Sequence, residues 1–121
     1  MDFNLTDEQQ MLRDGARRFF REHYGFEQRR ALLASESGFS AECWARYAEL
    51  GWLALGQPEE SGGWACSFVE TAILLEEFGR ALALEPYLSS AVLCGHILGR
   101  CSDARAGGAA LQEMMKGRTR L

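Results

Sequence analysis

The sequence predicts an all-α fold, a compact bundle of about five to six helices, on three observations. No segment sustains the period-two alternation of a half-buried strand. Apolar residues recur instead at three- and four-residue spacing, and serine or threonine stands ahead of several of those runs, where helix N-caps belong. At 121 residues, with 47% hydrophobic and 25% charged residues, the chain suits one domain with a real core, and wholesale disorder is excluded.

Thr6 opens the first helix, with Gln9 three residues on completing a capping box. Leu12, Ala16, Phe19 and His23, with Phe20 beside them, form an apolar face running to about Glu22. Arg13, Arg17, Arg18 and Arg21 share this helix with Asp7, Glu8, Asp14 and Glu22 and read as a solvated face. Gly25 breaks the helix, and a shorter one over residues 26–34 is expected to bury Phe26, Leu32 and Leu33. Ser40 caps a helix over residues 41–50 that puts Trp44, Tyr47 and Ala48 on one face and pairs Glu42 with Arg46; Gly51 ends it.

Residues 52–66 form a glycine-punctuated loop whose Trp52, Leu53, Leu55 and Trp64 are expected to pack inward. Ser67 and Glu70 form a second capping box. It opens a helix apolar nearly all round (Phe68, Val69, Ala72, Ile73, Leu74, Leu75, Phe78), which is therefore placed at the centre. Gly79-Arg80 weakens or ends it. After Pro86, residues 87–99 read as an apolar helix with Leu88, Val92 and Leu93 as core. Ser102 is the cap expected for a last, weak helix over residues 103–116, contacting the core through Leu111, Met114 and Met115. Gly107-Gly108 costs it about 1 kcal/mol per glycine relative to alanine. The tail, residues 118–121, shows no cap or turn signal.

The net charge of −4 gives no electrostatic reason to expect nucleic acid. The acidic start lacks the build of a secretory signal, and the longest apolar stretch is shorter than a bilayer span of about 20 residues. The expectation is a cytoplasmic chain with no membrane partner. Of the four cysteines none forms C-x-x-C, and on a helix Cys94 and His96 point about 200° apart, so no metal is expected. His23 and His96 read as structural histidines. Glu76 and Glu77 diverge by about 100° and do not converge as an acid–base pair; one of them is expected to pair with Arg80. No phosphate loop or catalytic triad is present. Physical reading alone stops at a helical domain with an unusually apolar loop.

Four stretches carry a resemblance. They are Met1-Asp2-Phe3 with Leu5 to Gln9, Leu12-Arg13 and Phe19; Glu49 to Leu55 leading into Pro58-Glu59-Glu60-Ser61-Gly62-Gly63; Leu75 to Arg80; and Pro86-Tyr87-Leu88 followed by a small-residue helix and Gly117. Taken in order they resemble the N-terminal helical domain of the flavin-dependent acyl-CoA dehydrogenases, over essentially the whole chain. The P-E-x-x-G-G loop joined to E-E-x-G-R is the more specific part.

The resemblance implies an enzyme of fatty acid metabolism in three parts: this domain, a middle β-domain and a C-terminal helical bundle. A glutamate on the bundle removes the α-proton of an acyl-CoA thioester, the β-hydride passes to FAD, and electrons leave through an electron-transfer flavoprotein. The β-domain and bundle, which hold FAD, lie outside these 121 residues, so the chain is expected to be a truncated part or one piece of an assembly, inactive alone and without bound FAD. Its expected share is to wall the acyl-chain pocket through Tyr87, Ser90, Ala91 and Cys94, against a competing reading of that face as interhelical core. The alternative function is a non-catalytic helical interaction module; an unrelated helical domain is the third reading. Either of the first two implies an exposed apolar surface and self-association.

Overall fold

The computed structural model describes residues 1–101 and 104–121. In order it contains α1 (Asp7–His23), α2 (Phe26–Leu33), α3 (Ala41–Glu49), single 3₁₀ turns at Trp52–Ala54 and Glu59–Ser61, and α4 (Phe68–Ala81). A π-helical segment (Tyr87–Cys94) then runs directly into α5 (Gly95–Gly99), and α6 (Ala104–Met115) follows. Among the described residues there is no strand, only an isolated parallel bridge between Leu55 and Trp64. The all-α expectation holds.

The α1 capping box forms on both arms: Gln9 N–H donates to Thr6 Oγ1 and Thr6 N–H to the Gln9 side chain. Ala16, Phe19 and Phe20 are then buried, Phe20 against Phe78 of α4 and Phe19 against Tyr47 and Trp52. From α3 come Trp44 and Tyr47, capped into place by the Ser40 hydroxyl on Cys43 N–H. Gly51, at φ 79°, turns the chain so that Trp52 and Leu53 fall inward. The result is an aromatic cluster in which Phe19, Phe20 and Phe78 meet Tyr47 and Trp52 mostly edge-on. Tyr47 stacks on Trp52 at 5.4 Å and Phe78 on Tyr87 at 4.4 Å. Such pairs add about 0.5–1.5 kcal/mol each beyond the area they bury.

Several expectations are corrected. His23 is exposed, one turn beyond the face that α4 covers, with its ring against Phe19 at 4.7 Å. Helix α2 buries nothing: Phe26 and Leu33 are exposed and only Leu32 is half-buried, because this short helix meets the bundle along one edge. Arg46 pairs with Glu49 at 2.8 Å in place of Glu42, three-residue spacing being equally within reach. Trp52, Leu53 and Leu55 pack inward, but Trp64 stays exposed over Gly51.

The Ser67 box is incomplete. Ser67 accepts from Val69 N–H, while the Glu70 carboxylate is taken by the Ser67 hydroxyl (2.6 Å) and the Gln9 amide (3.0 Å). Helix α4 passes through Gly79-Arg80 and ends at Leu82, which adopts φ 52° with Ala83 N–H closing onto Phe78 O. It is central on one side only: Thr71, Ile73, Leu74, Glu77 and Phe78 are buried, whereas Phe68, Val69 and Ala72 face outward. The arginine face of α1 is not purely solvated. Arg17 grips the buried Glu77 carboxylate with bonds of 2.7 and 3.2 Å, and Arg80 approaches both Glu76 and Glu77, as its spacing foretold.

After Pro86, Leu88 and Leu93 are exposed, not core, because the i→i+5 bonding of the π-helix re-phases the side chains; Tyr87, Ser90, Ala91 and Val92 turn inward. Leu111, Met114 and Met115 of α6 are buried as expected. The expected cap Ser102 and the start at Asp103 lie outside the described residues. Gly107 earns its place by proximity: a β-carbon there would sit 3.1 Å from Leu98 O. The turn falls just ahead of the tail. Gly117 (φ 74°) closes α6 with its N–H on Met114 O and that of Arg118 on Glu113 O, and Arg120 lies over the Phe39 ring at 4.4 Å.

Candidate functional site: the two sides of the Tyr87–Gly99 rod

The π-helical segment and α5 form one continuous rod, started by Pro86 and bounded beneath by the Gly56–Pro58 loop. The structure turns three of the four expected acyl-wall residues inward. Tyr87 is buried, its hydroxyl donating to Trp52 O at 3.0 Å, and burial holds its phenol far above the ordinary range. Ser90 is fully buried, and its hydroxyl oxygen accepts from Leu121 N–H at 3.0 Å. Ala91 is buried, and its carbonyl accepts from the Gln57 side-chain amide at 3.1 Å. Cys94 is half-buried at the segment's end, with a free thiol.

The other side of the rod is open. Together with Pro58, Cys66 and Phe68, the side chains of Leu88, Leu93 and Ile97 border a cleft of about 650 Å³, with His96, Gln57 and Arg100 as its polar lining. His96 Nδ1 lies 2.7 Å from Val92 O, so this histidine is anchored in its own helix as the structural reading expects. All four cysteines are free, and burial raises the thiols of Cys43 and Cys66 above their usual value, so neither is a prepared thiolate. Among the described residues no three His, Cys, Asp or Glu side chains gather as a metal site, and no helix is long and apolar enough to cross a membrane.

Sequence reasoning missed three polar features. Glu85, next to Pro86, is buried and accepts from the Tyr24 and Tyr47 hydroxyls at 2.9 and 3.2 Å and from Ser40 N–H at 3.0 Å. Arg17 and Glu77 meet across 60 residues of chain. Gln57 tucks under the rod where Gly95 and Gly99 leave room: a β-carbon at Gly95 would lie 2.6 Å from its Nε2. The signals were thin, a glutamate before proline and a glutamine inside a glycine-rich loop.

Residues 6–118 match the model of the acyl-CoA dehydrogenase N-terminal domain. The chain belongs to the acyl-CoA dehydrogenase family. It is 33% identical over 112 residues, 92% of its length, to the acyl-CoA dehydrogenase IpdE2 of Mycobacterium tuberculosis, of which that match covers 34%. It is also 38% identical over 80 residues to an acryloyl-CoA reductase (NADH) of Anaerotignum propionicum, covering 66% of this chain and 20% of the relative. Among solved structures, the ChsE4-ChsE5 complex of Mycobacterium tuberculosis superposes with a TM-score of 0.89 at 28% identity, over 99% of this chain and 33% of that one. The Tcur3481-Tcur3483 steroid ACAD superposes at 0.85, also at 28% identity, over 94% and 31%. The chain thus spans about a third of the length of IpdE2 and of these structures. As an acyl-CoA dehydrogenase N-terminal domain, it has the fold expected of its sequence, and the capped α1 and the Pro58–Gly63 turn fall inside the matched region.

Proposed function

We propose that this domain is the helical N-terminal part of an FAD-dependent acyl-CoA dehydrogenase, and that it walls the acyl-chain pocket during α,β-dehydrogenation of an acyl-CoA thioester. The family match over residues 6–118 carries the reading. The wall is assigned to Tyr87, Ser90, Ala91 and Cys94. Tyr87 sets the rod's position through Phe78 and Trp52; Ser90 and Ala91 pack in the domain's interior and act on the wall by seating the rod, and the half-buried Cys94 is the one of the four that reaches the surface.

The flavin is assigned to polypeptide outside residues 1–121. The cleft beside the rod is walled chiefly by apolar side chains, and its polar lining of Gln57, His96 and Arg100 does not suit an isoalloxazine with its diphosphate. FAD supplies the two-electron acceptor; the proton-abstracting glutamate and the flavin seat belong to a β-domain and a C-terminal bundle, and an electron-transfer flavoprotein takes the electrons on. On this reading the 121 residues alone bind no FAD and oxidise no acyl-CoA, and work in the cytoplasm in fatty acid or related acyl-CoA metabolism. Since one structural relative is the ChsE4-ChsE5 complex and another a steroid ACAD, a two-chain assembly and a bulky acyl group are the first variants to test.

The test uses a tag on this chain to isolate the assembly containing it from its native cells. The expected result is a yellow, flavin-bearing assembly that reduces an artificial electron acceptor when given acyl-CoA, with Cys94→Leu, at the half-buried position, shifting preference toward shorter or slimmer acyl groups. An assembly without flavin, or one indifferent to every acyl-CoA, would overturn the dehydrogenase assignment. It would favour the second reading, a non-catalytic interaction module, which draws on the exposed Phe68, Leu88, Leu93 and Ile97. Self-association of the isolated domain through that surface is expected on either reading, and a clean monomer by sedimentation at high concentration counts against it.

A further inference from the structure

The loop that carries Gly56 to Gly63 meets the Tyr87–Gly99 rod through the side chain of Gln57. This residue is 1% exposed, and its Nε2 donates to Ala91 O at 3.1 Å. Its backbone is held as well. Gln57 N–H donates to Ala54 O, and Gly63 packs so closely behind that a β-carbon there would lie 2.5 Å from Gln57 C, O and Cβ. On the rod, Gly95 and Gly99 stand about one turn apart and leave room for the loop. A β-carbon at 95 would lie 2.6 Å from Gln57 Nε2, and one at 99 would lie 3.1 Å from Pro58 Cδ.

Packing alone does not ask for a glutamine here. Its Oε1 accepts no hydrogen bond, a desolvation cost that a leucine in its place would not carry. What the amide adds is a donor of fixed reach on one carbonyl. The loop thereby sets both the distance and the rotation of the rod at Ala91 and Gly95. Cys94, the half-buried residue assigned to the acyl wall, is the immediate chain neighbour of Gly95.

We propose that Gln57 is a positioning residue for the acyl pocket: it spaces the rod from the loop and so sets how far Cys94 advances toward the tail of the substrate. The role rests on the dehydrogenase reading. Gln57 touches no substrate and acts through Ala91 and Gly95. A shorter side chain at 57 lets the rod settle toward the loop and deepens the pocket. A β-carbon added at 95 drives the rod outward and makes the pocket shallower. That strain passes to the rod because Gln57 is enclosed, with Gly63 directly behind it; the Met114 methyl, 3.1 Å from the same point, is the end of a flexible side chain and gives way.

The test uses the tagged assembly from native cells, with each variant carried on this chain. The kcat/KM is measured over a series from butanoyl-CoA to dodecanoyl-CoA, with cyclohexylacetyl-CoA as a bulky member, and the thermal midpoint of each assembly is recorded beside it. Gly95→Ala should lower the ratio for the longest over the shortest acyl group oxidised by about tenfold, the scale of one methylene in an apolar pocket. Gln57→Ala should raise that ratio, and the milder Gln57→Asn should raise it less, although all three lower the midpoint. The double variant of Gln57→Ala with Gly95→Ala, whose added carbon fills the vacated space, should restore both ratio and midpoint. Midpoints that fall while the ratio stays put, shifts of one sign for Gly95→Ala and Gln57→Ala, or a double variant no better than either single one would each overturn the positioning role and leave Gln57 as interior packing. An unaltered assembly that oxidises no acyl-CoA instead overturns the dehydrogenase reading, before any variant is compared.

Discussion

Between α1, α3 and the turn before the rod, the buried Glu85 carboxylate accepts three hydrogen bonds, and Tyr24 in turn accepts Leu84 N–H at 2.8 Å. Across the molecule, the equally buried Gln57 uses its nitrogen and leaves its oxygen without a donor, under a wall of exposed leucine and isoleucine. The same chain closes one polar cluster completely and leaves the other open. A closed network fixes the arrangement of the elements around it, and an open one leaves capacity for a further molecule or polypeptide. The difference makes the Glu85 cluster a closed joint between α1, α3 and the turn before the rod, and leaves an unpaired acceptor beneath the rod.

The largest effect that tests this contrast is at Glu85. Glu85→Ala strands two tyrosine hydroxyls and the Ser40 amide, and at about 1–3 kcal/mol per buried unsatisfied group, partly relieved by relaxation, it should cost about 3–5 kcal/mol in urea unfolding. Glu85→Gln keeps an acceptor and should cost less than half of that. A loss under about 1 kcal/mol for the alanine variant would mean the network is not what joins α1 to α3.

Alkali probes both sides at once. The three tyrosines are Tyr24, Tyr47 and Tyr87, two at Glu85 and one on the rod, and desolvation is the main cause raising each phenol above its ordinary value. Because the folded pKa lies above the unfolded value of about 10, this stabilisation is complete below pH 10 and is lost as pH rises above it, when the unfolded chain ionises first. Phenolate absorbance and loss of helical circular dichroism should therefore appear together, in one transition. A tyrosine titrating near pH 10 in the still-folded domain would show that its side of the molecule is looser than its burial implies.

What the sequence revealed divides along similar lines. Thr6, Ser40 and Gly51 were legible because caps are local, and Ala16, Phe19, Trp44 and Tyr47 because a straight α-helix repeats its face. Residues 87–94 were legible as helix but not in phase, since π-helical bonding changes the period from which Leu88 and Leu93 were placed in the core. Tyr87, Ser90 and Ala91 share the buried side even so. Arg17–Glu77 and the Glu85 cluster join residues 38 to 61 positions apart, and nothing in a local pattern foretells which charged residue will be buried. Gln57 carries no periodic signal at all; its place depends on glycines 38 and 42 residues downstream, Gly95 and Gly99. Phe26 and Leu33 show the converse, apolar side chains on a helix that meets the bundle by one edge.

A smaller effect separates the two glycines of α6. A β-carbon on Gly107 would press on Leu98 O and Cys101, so Gly107→Ala should destabilise by about 1–2 kcal/mol. Gly108 has nothing within 4 Å, and Gly108→Ala should stabilise by about 0.5–1 kcal/mol through helix propensity alone. Thermal unfolding of the pair should give opposite signs. Equal signs would remove the close approach of α6 to the end of α5 as the reason for a glycine at 107.

The smallest effect is the one that fixes the phase of the rod. Were residues 87–94 an α-helix with the apolar face expected of it, Leu88, Val92 and Leu93 would be interchangeable core positions. With π-helical bonding, Val92 is 7% exposed and Leu93 54%. Leu93→Ser should therefore change stability by no more than about 0.5 kcal/mol, as surface substitutions do, while Val92→Ser one position earlier should cost several times as much. Urea unfolding of the two variants reads the difference directly. Equal losses would mean that the rod is α-helical in solution, and would move the cleft wall and the inward-facing Ser90 and Ala91 together, because a single phase places them all.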